Sequence, residues 1–165
     1  MSCARSLRHL FAAPWIVRRP FPHEALARIQ GAIAASERRH RGEIRFAVEG
    51  ALEFLPVLRG LTPRERALEV FSLLGVWDTE ENTGVLIYVQ LVDHDIEIVA
   101  DRGITRLIEQ SAWEAICHRM EEAFRARRYE AGVLAGIAEV GELLARHFPG
   151  GAENRDELAD KPAIL

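Results

Sequence analysis

Apolar and polar positions follow two periods along this chain, and each change of period marks an element. From about Pro22 to Arg39, Leu26, Ile29 and Ile33 recur at the spacing of one helix face. Between Glu43 and Val48 the period drops to two. Ile44, Phe46 and Val48 share one face and Arg45 and Ala47 the other, as in a half-buried strand. A loop through Pro56 and Gly60 is expected next. Thr62-Pro63-Arg64-Glu65 then predicts a helix start: Thr62 can cap free N–H groups, Pro63 fits the first helical position, and Glu65 completes a capping box. Ala67, Val70, Phe71 and Leu74 form the stripe this helix would bury.

Gly84 to Val92 is apolar on both faces, the pattern of a central strand covered on each side. Asp93-His94 can close a tight hairpin into Asp95 to Ala100, where Ile96, Ile98 and Ala100 lie together. Ser111-Ala112-Trp113-Glu114 reads as a second capping box. It would open a helix carrying Trp113, Ile116, Cys117, Met120 and Phe124 on one face. A last helix is expected from about Tyr129 to Phe148, with Gly132, Gly136 and Gly141 allowing close approach and Pro149-Gly150-Gly151 ending it. The predicted order, α-β-α-β-β-α-α, gives a three-layer α/β/α sandwich on a small mixed sheet. A strand–helix–strand crossover makes the first two strands parallel, and the hairpin adds an antiparallel third. Residues 22–149 would form this domain, between a basic and aromatic arm over 1–21 and a polar tail over 150–165.

With 165 residues and 48% hydrophobic content, the chain can build one substantial core. Its net charge of −4 removes any global case for nucleic-acid binding. Cys3 and Cys117 form neither a disulfide framework nor a metal cluster by spacing, so a reducing, cytoplasmic compartment is the expectation. Cys117 falls on a core stripe and is expected to be buried and inert. No apolar run approaches the ~20 residues of a spanning helix, so no transmembrane segment is expected. In the first 22 residues, Arg5, Arg8, Arg18 and Arg19 alternate with Leu7, Leu10, Phe11, Trp15 and Ile16. Three readings fit: an arm packing its aromatics on the domain, a contact with a membrane surface, and a targeting segment. Pro14 and the arginines interrupt what a secretory signal would need.

Parallel first and second strands would set Asp78 to Thr83 beside His40 to Glu43. The returning third strand would bring Asp101 and Arg102 to that same end. Asp78, Glu80, Glu81, Asn82 and Asp101 can then offer hard oxygen ligands suited to Ca²⁺ or Mg²⁺. Arg102 can clamp a phosphate or carboxylate. The structural alternative is that Asp78 and Asn82 shape turns, Glu80 and Glu81 are solvated, and Arg102 bridges Asp101 or Glu97. At the opposite end, Glu49 and Glu53 would meet Asp93, His94 and Asp95. The cluster Glu49, Asp93 and Asp95 is therefore a second place for a cation, although Asp is also an ordinary turn residue. Leu91-Val92-Asp93-His94-Asp95 superficially matches the strand and Asp-x-Asp of aspartyl phosphatases. A strand follows at once, leaving no catalytic loop, and the match is rejected. No glycine-rich phosphate loop, nucleophile elbow or two-histidine zinc spacing occurs. His118 is rotated away from Cys117, and His147 can serve its helix C-terminus as a partial cation.

The Asn82-Thr83-Gly84-Val85-Leu86-Ile87 strand start resembles that of the TPM domain, a family of small α/β/α modules found mostly in bacteria and in the thylakoid. So do the Glu97-Ile98-Val99-Ala100-Asp101-Arg102-Gly103-Ile104 hairpin exit and the Arg128-Tyr129-Glu130-Ala131-Gly132 corner. The resemblance runs from about His23 to Phe148. It implies acid phosphatase activity as in some members, calcium binding as in others, or no activity, as for many. Typical members carry an Asp-containing segment before the first helix; here Phe21-Pro22-His23-Glu24 stands there. Neither a signal peptide nor a membrane tail is read from the sequence, which matches the short, unanchored subgroup. The expected function is a soluble accessory or binding module with a protein partner, at a membrane surface or in an assembly. The alternative is a metal-dependent phosphatase acting on small phosphomonoesters. Its metal would be held by Asp78, Glu81 or Asp101, with Arg102 stabilising developing charge and Glu43 or His40 near enough to supply a proton. The missing nucleophile motif argues against it.

Overall fold

The computed structural model describes residues 3–10, 16–151 and 157–165. Its elements in chain order are α1 (Cys3–Leu10), α2 (His23–Glu37), β1 (Glu43–Glu49), α3 (Phe54–Leu58), α4 (Pro63–Leu73), β2 (Gly84–Gln90), β3 (Asp95–Ala100), α5 (Arg102–Thr105), α6 (Gln110–Arg125), α7 (Tyr129–His147) and β4 (Ala163–Ile164). The sheet order is β3-β2-β1-β4. β1 and β2 run parallel, with Glu43 opposite Gly84 and Glu49 opposite Gln90. β3 returns antiparallel, with Ala100 opposite Val85 and Asp95 opposite Gln90. The expected α/β sandwich on a mixed sheet is therefore the observed one.

Alternation along the strands divides the core in two. Ile44, Phe46 and Val48 of β1, Val85, Ile87 and Val89 of β2, and Ile96 and Ile98 of β3 face α2, α6 and α7. Ala47, Leu86, Tyr88 and Val99 face the other way, onto Ala67, Val70 and Phe71 of α4. Every residue of β2 is buried, as a central strand covered on both faces must be. Thr62 and Glu65 form the complete capping box at the start of α4.

Several features depart from the sequence reading. Residues 54–58 are a short helix and not loop; Pro56 sits in its first turn, where a missing N–H goes unnoticed, and Val57 is buried. The second capping box does not form. α6 starts at Gln110 after Glu109, with no side-chain cap, and Ser111 lies inside the helix. Burial of Ile108 and the bond from the Ala112 N–H to the Glu109 carbonyl (3.0 Å) fix that earlier start. At the C-terminus, Ala163–Ile164 pair with Ala47 and Val48, occupying the free edge of β1 that would otherwise expose unpaired backbone groups. Of the N-terminal arm, α1 packs on α3. Val17 and Phe21 enter the core, the Phe21 ring lying 5.8 Å from that of Phe46. Phe11 and Trp15 lie outside the described residues. Among the described residues no helix is long and apolar enough to cross a membrane.

Candidate functional site

Antiparallel pairing of β2 and β3 brings the start of one against the end of the other, and the Asp101 N–H donates to the Gly84 carbonyl (2.9 Å). Two glycines then permit close approach. A Cβ on Gly84 would strike the Val76 carbonyl, so the Trp77–Thr83 loop can cross the strand start. A Cβ on Gly103 would sit 2.5 Å from the Asn82 carbonyl oxygen and 2.7 Å from that of Glu81. Instead, the Gly103 N–H donates to the Asn82 carbonyl at 3.1 Å. The loop holds its shape through Thr79, whose hydroxyl oxygen accepts the Thr83 N–H (2.9 Å), and through Asn82 in the left-handed region (φ 56°). Asn tolerates that conformation better than most residues. Between loop and hairpin lies a recess of 620 Å³, lined by Asp78, Thr79, Glu80, Asn82, Asp101 and Arg102, with Trp77 at its edge.

Asp101 is the buried acid of this recess. Its Oδ1 accepts the Arg102 N–H at 2.6 Å, while its Oδ2 is buried with no hydrogen-bond donor among the described residues. The Arg102 Nε donates to Asn82 Oδ1 (2.8 Å) and not to Asp101 or Glu97; Glu97 is taken by Arg64 at 3.1 Å. Of the sequence-derived residues, Asp78, Asn82, Asp101 and Arg102 come together, and Glu80 joins them. Glu81 does not line the recess, because it is drawn into an ion pair with Arg41. Neither proposed proton donor lines it either. His40 is buried between the Ser36 hydroxyl and the Gly42 carbonyl (2.9 Å each), and burial lowers its pKa. Glu43 Oε2 accepts the N–H groups of Glu157 (3.2 Å) and Leu158 (3.1 Å). Among the described residues no three His, Cys, Asp or Glu side chains close on a common point.

At the other end of the sheet the carboxylates are separately occupied. Glu49 receives Arg66 at 3.0 Å through both oxygens and the Tyr88 hydroxyl at 2.5 Å. Asp93 receives Arg5 (2.7 Å) and faces His9 Nε2 at 3.2 Å. Burial opposes its ionisation, but Arg5 and His9 outweigh that and hold its pKa below the ordinary value. Asp95 is pushed up to about 6, chiefly by burial and then by Glu97, Glu121 and Asp93. Sequence reasoning missed Arg5, His9 and Arg66, since nothing in their local pattern announces partners so far along the chain. Cys117 is buried as expected, which pushes its thiol up to about 12. His118 is exposed and lies 3.6 Å from Glu121.

The fold that carries this recess is similar to that of known proteins. A family model described as TPM domain matches residues 21–143. The chain belongs to the TPM domain family. Among solved structures, the NMR structure of the BA42 protein from the psychrophilic bacterium Bizionia argentinensis superposes with a TM-score of 0.76 at 29% identity. That match covers 86% of this chain and 93% of BA42. The N-terminal domain of a P. gingivalis protein, solved by NMR, gives a TM-score of 0.59 at 23% identity over 78% of this chain and 79% of that one. The latter likeness is one of fold alone. No match was found among curated proteins. In this TPM domain, the glycines that bring the loop onto the hairpin lie inside the matched span, and so does the whole recess.

Proposed function

We propose that this TPM domain is an accessory binding module whose Asp101 recess takes a hard divalent cation. One observation carries the reading: a carboxylate oxygen, Asp101 Oδ2, is buried without a donor in a recess it shares with Asp78, Glu80 and Asn82. An acceptor of that kind is costly to leave unpaired, and a cation or a ligand donor relieves the cost. Asp101 with one neighbouring carboxylate, the Asn82 amide oxygen, the Thr79 hydroxyl and water would give an all-oxygen shell suited to Ca²⁺ or Mg²⁺. So few charged ligands favour the weak end of the range, a dissociation constant of about 10⁻⁴–10⁻³ M. The accessory role draws support from α1 and α3, which pack together yet leave Leu7, Leu10, Leu55 and Leu58 exposed. Such side chains suit a protein partner or the surface of a membrane assembly.

Melting temperature measured in EDTA, Ca²⁺ and Mg²⁺ tests the cation. An ion at ~100 times its dissociation constant adds about 2.7 kcal/mol. In a domain of this size that is roughly 5–10 °C. Asp101→Asn should abolish the shift while the variant stays folded. Unchanged melting in every ion sinks the cation reading.

Arg102, in the same recess, favours a second reading: hydrolysis of small phosphomonoesters, with the metal polarising the phosphoryl group and Arg102 stabilising developing charge. That reading requires metal-dependent turnover that Arg102→Ala removes. Absence of turnover from the metal-loaded protein leaves the binding module alone.

A further inference from the structure

A second and larger concavity lies at the opposite end of the sheet, between residues 16–22 ahead of α2, the β2–β3 hairpin tip and the α6–α7 corner. Its volume is 1430 Å³, above the roughly 300–1,000 Å³ of small-molecule pockets. Its floor is apolar: Phe124, Tyr129 and Leu134 line it, and the rings of Phe124 and Tyr129 meet edge-on at 5.1 Å. Its rim is cationic. Arg19, Arg127 and Arg128 reach it and, among the described residues, make no ion pair. A fourth, Arg125, is 3.1 Å from Glu121. Among the described residues, the one acid of the lining, Glu130, is already taken by Arg28.

Two further features point the same way. α7 begins at this corner with no side-chain cap, so its first-turn N–H groups and the positive end of its dipole lie at the groove. Arg127 is held in the left-handed region (φ 58°) by the bond from its N–H to the Phe124 carbonyl (2.8 Å). The turn thus places two consecutive arginines on the rim of an otherwise acidic chain. Like charges gathered without counter-charges repel, and an anionic occupant removes the repulsion.

We propose that this groove binds an acidic peptide segment of a partner protein, its carboxylates on Arg19, Arg127 and Arg128 and a large apolar side chain on Phe124 and Tyr129. Guanidinium forks match carboxylates bidentately, and an aromatic floor beside them gives a peptide its anchor. The groove's volume and mixed apolar and cationic lining suit a peptide better than a free anion. The inference does not depend on the cation recess.

The test uses the full chain and a fluorescein-labelled twelve-residue peptide of alternating acidic and large apolar residues, read by anisotropy. Saturable binding that weakens with salt is expected, and Arg19→Glu with Arg128→Glu should weaken it at least tenfold. Arg59→Glu, an exposed arginine on another surface, should leave it unchanged. If the double variant does not fold, Arg19→Glu alone, outside any helix, should still cost several-fold. Equal binding by wild type and variants overturns the proposal. So does equal binding of a basic peptide of the same spacing, or capture of anionic phospholipid vesicles with no affinity for the peptide.

Discussion

Glu37 shows how one side chain can set the pH response of the fold. Its Oε1 accepts the Ile44 N–H at 2.7 Å, at the start of β1. Burial, which outweighs that bond, together with the nearby Glu43 and Asp160 carboxylates, pushes its pKa from 4.5 to about 9. A folded pKa above the unfolded one means the native state binds the extra proton. The contribution is complete below pH 4.5 and drains away as pH rises towards about 9. Asp95 acts in the same direction, but its share is spent by about pH 6. The melting temperature should therefore fall from pH 5 to pH 9. Glu37→Gln, whose amide oxygen can still accept from Ile44, should flatten that fall above pH 6 and stabilise the fold at neutral pH. An undiminished slope in the variant, followed by thermal melts across the range, would assign the pH response to other groups.

Among the elements, the C-terminal segment 157–165 has the least sequence pattern and the most reach. Its Leu165 N–H donates to the Val48 carbonyl (3.0 Å), and Arg45 donates to the Lys161 carbonyl (2.7 Å). Glu157 accepts the Glu80 N–H at 2.9 Å, which ties the segment to the loop around the Asp101 recess. Ending the chain after residue 156 removes these bonds and exposes the β1 edge. At about 1 kcal/mol net for each hydrogen bond lost, melting should drop by roughly 5–10 °C. Amide exchange should quicken in β1 and around Glu80 while β2 and β3 stay protected; an unchanged exchange pattern would show the segment to be a bystander. The same element marks where sequence reading stops. β1 and α4 were legible because each repeats its period long enough to define a face, and β2 because its unbroken apolar run marks a strand covered on both sides. The two residues of β4 have no period, Pro56 hid α3, and Ser111 looked like a cap because the buried Ile108 that starts α6 early lies outside the motif. The recess was half legible. The antiparallel return of β3 placed Asp78, Asn82, Asp101 and Arg102 together, whereas Glu81 was lost to Arg41, a partner that only the folded loop supplies.

At the scale of the whole molecule, the recess and the basic groove stand at opposite ends of β2. The recess lies against its first residue, Gly84, and the groove beside Leu91, just past its last, Gln90. Seven strand residues at about 3.3 Å each separate them by roughly 20 Å. Coupling over that distance needs an element with two arrangements that both ligands bias. β2 offers none: it is buried throughout, bonded on both sides, and packed between two cores. Close-packed interiors of this kind resist graded deformation. Occupancy of one end should thus leave the other unchanged. Peptide affinity measured in EDTA and in saturating Ca²⁺, at matched ionic strength, should agree within about twofold, well under the roughly fivefold that marks a coupling of 1 kcal/mol. A larger difference would mean that the Trp77–Thr83 loop and the hairpin tip move as one, making the sheet a lever between the sites where its packing makes it a spacer.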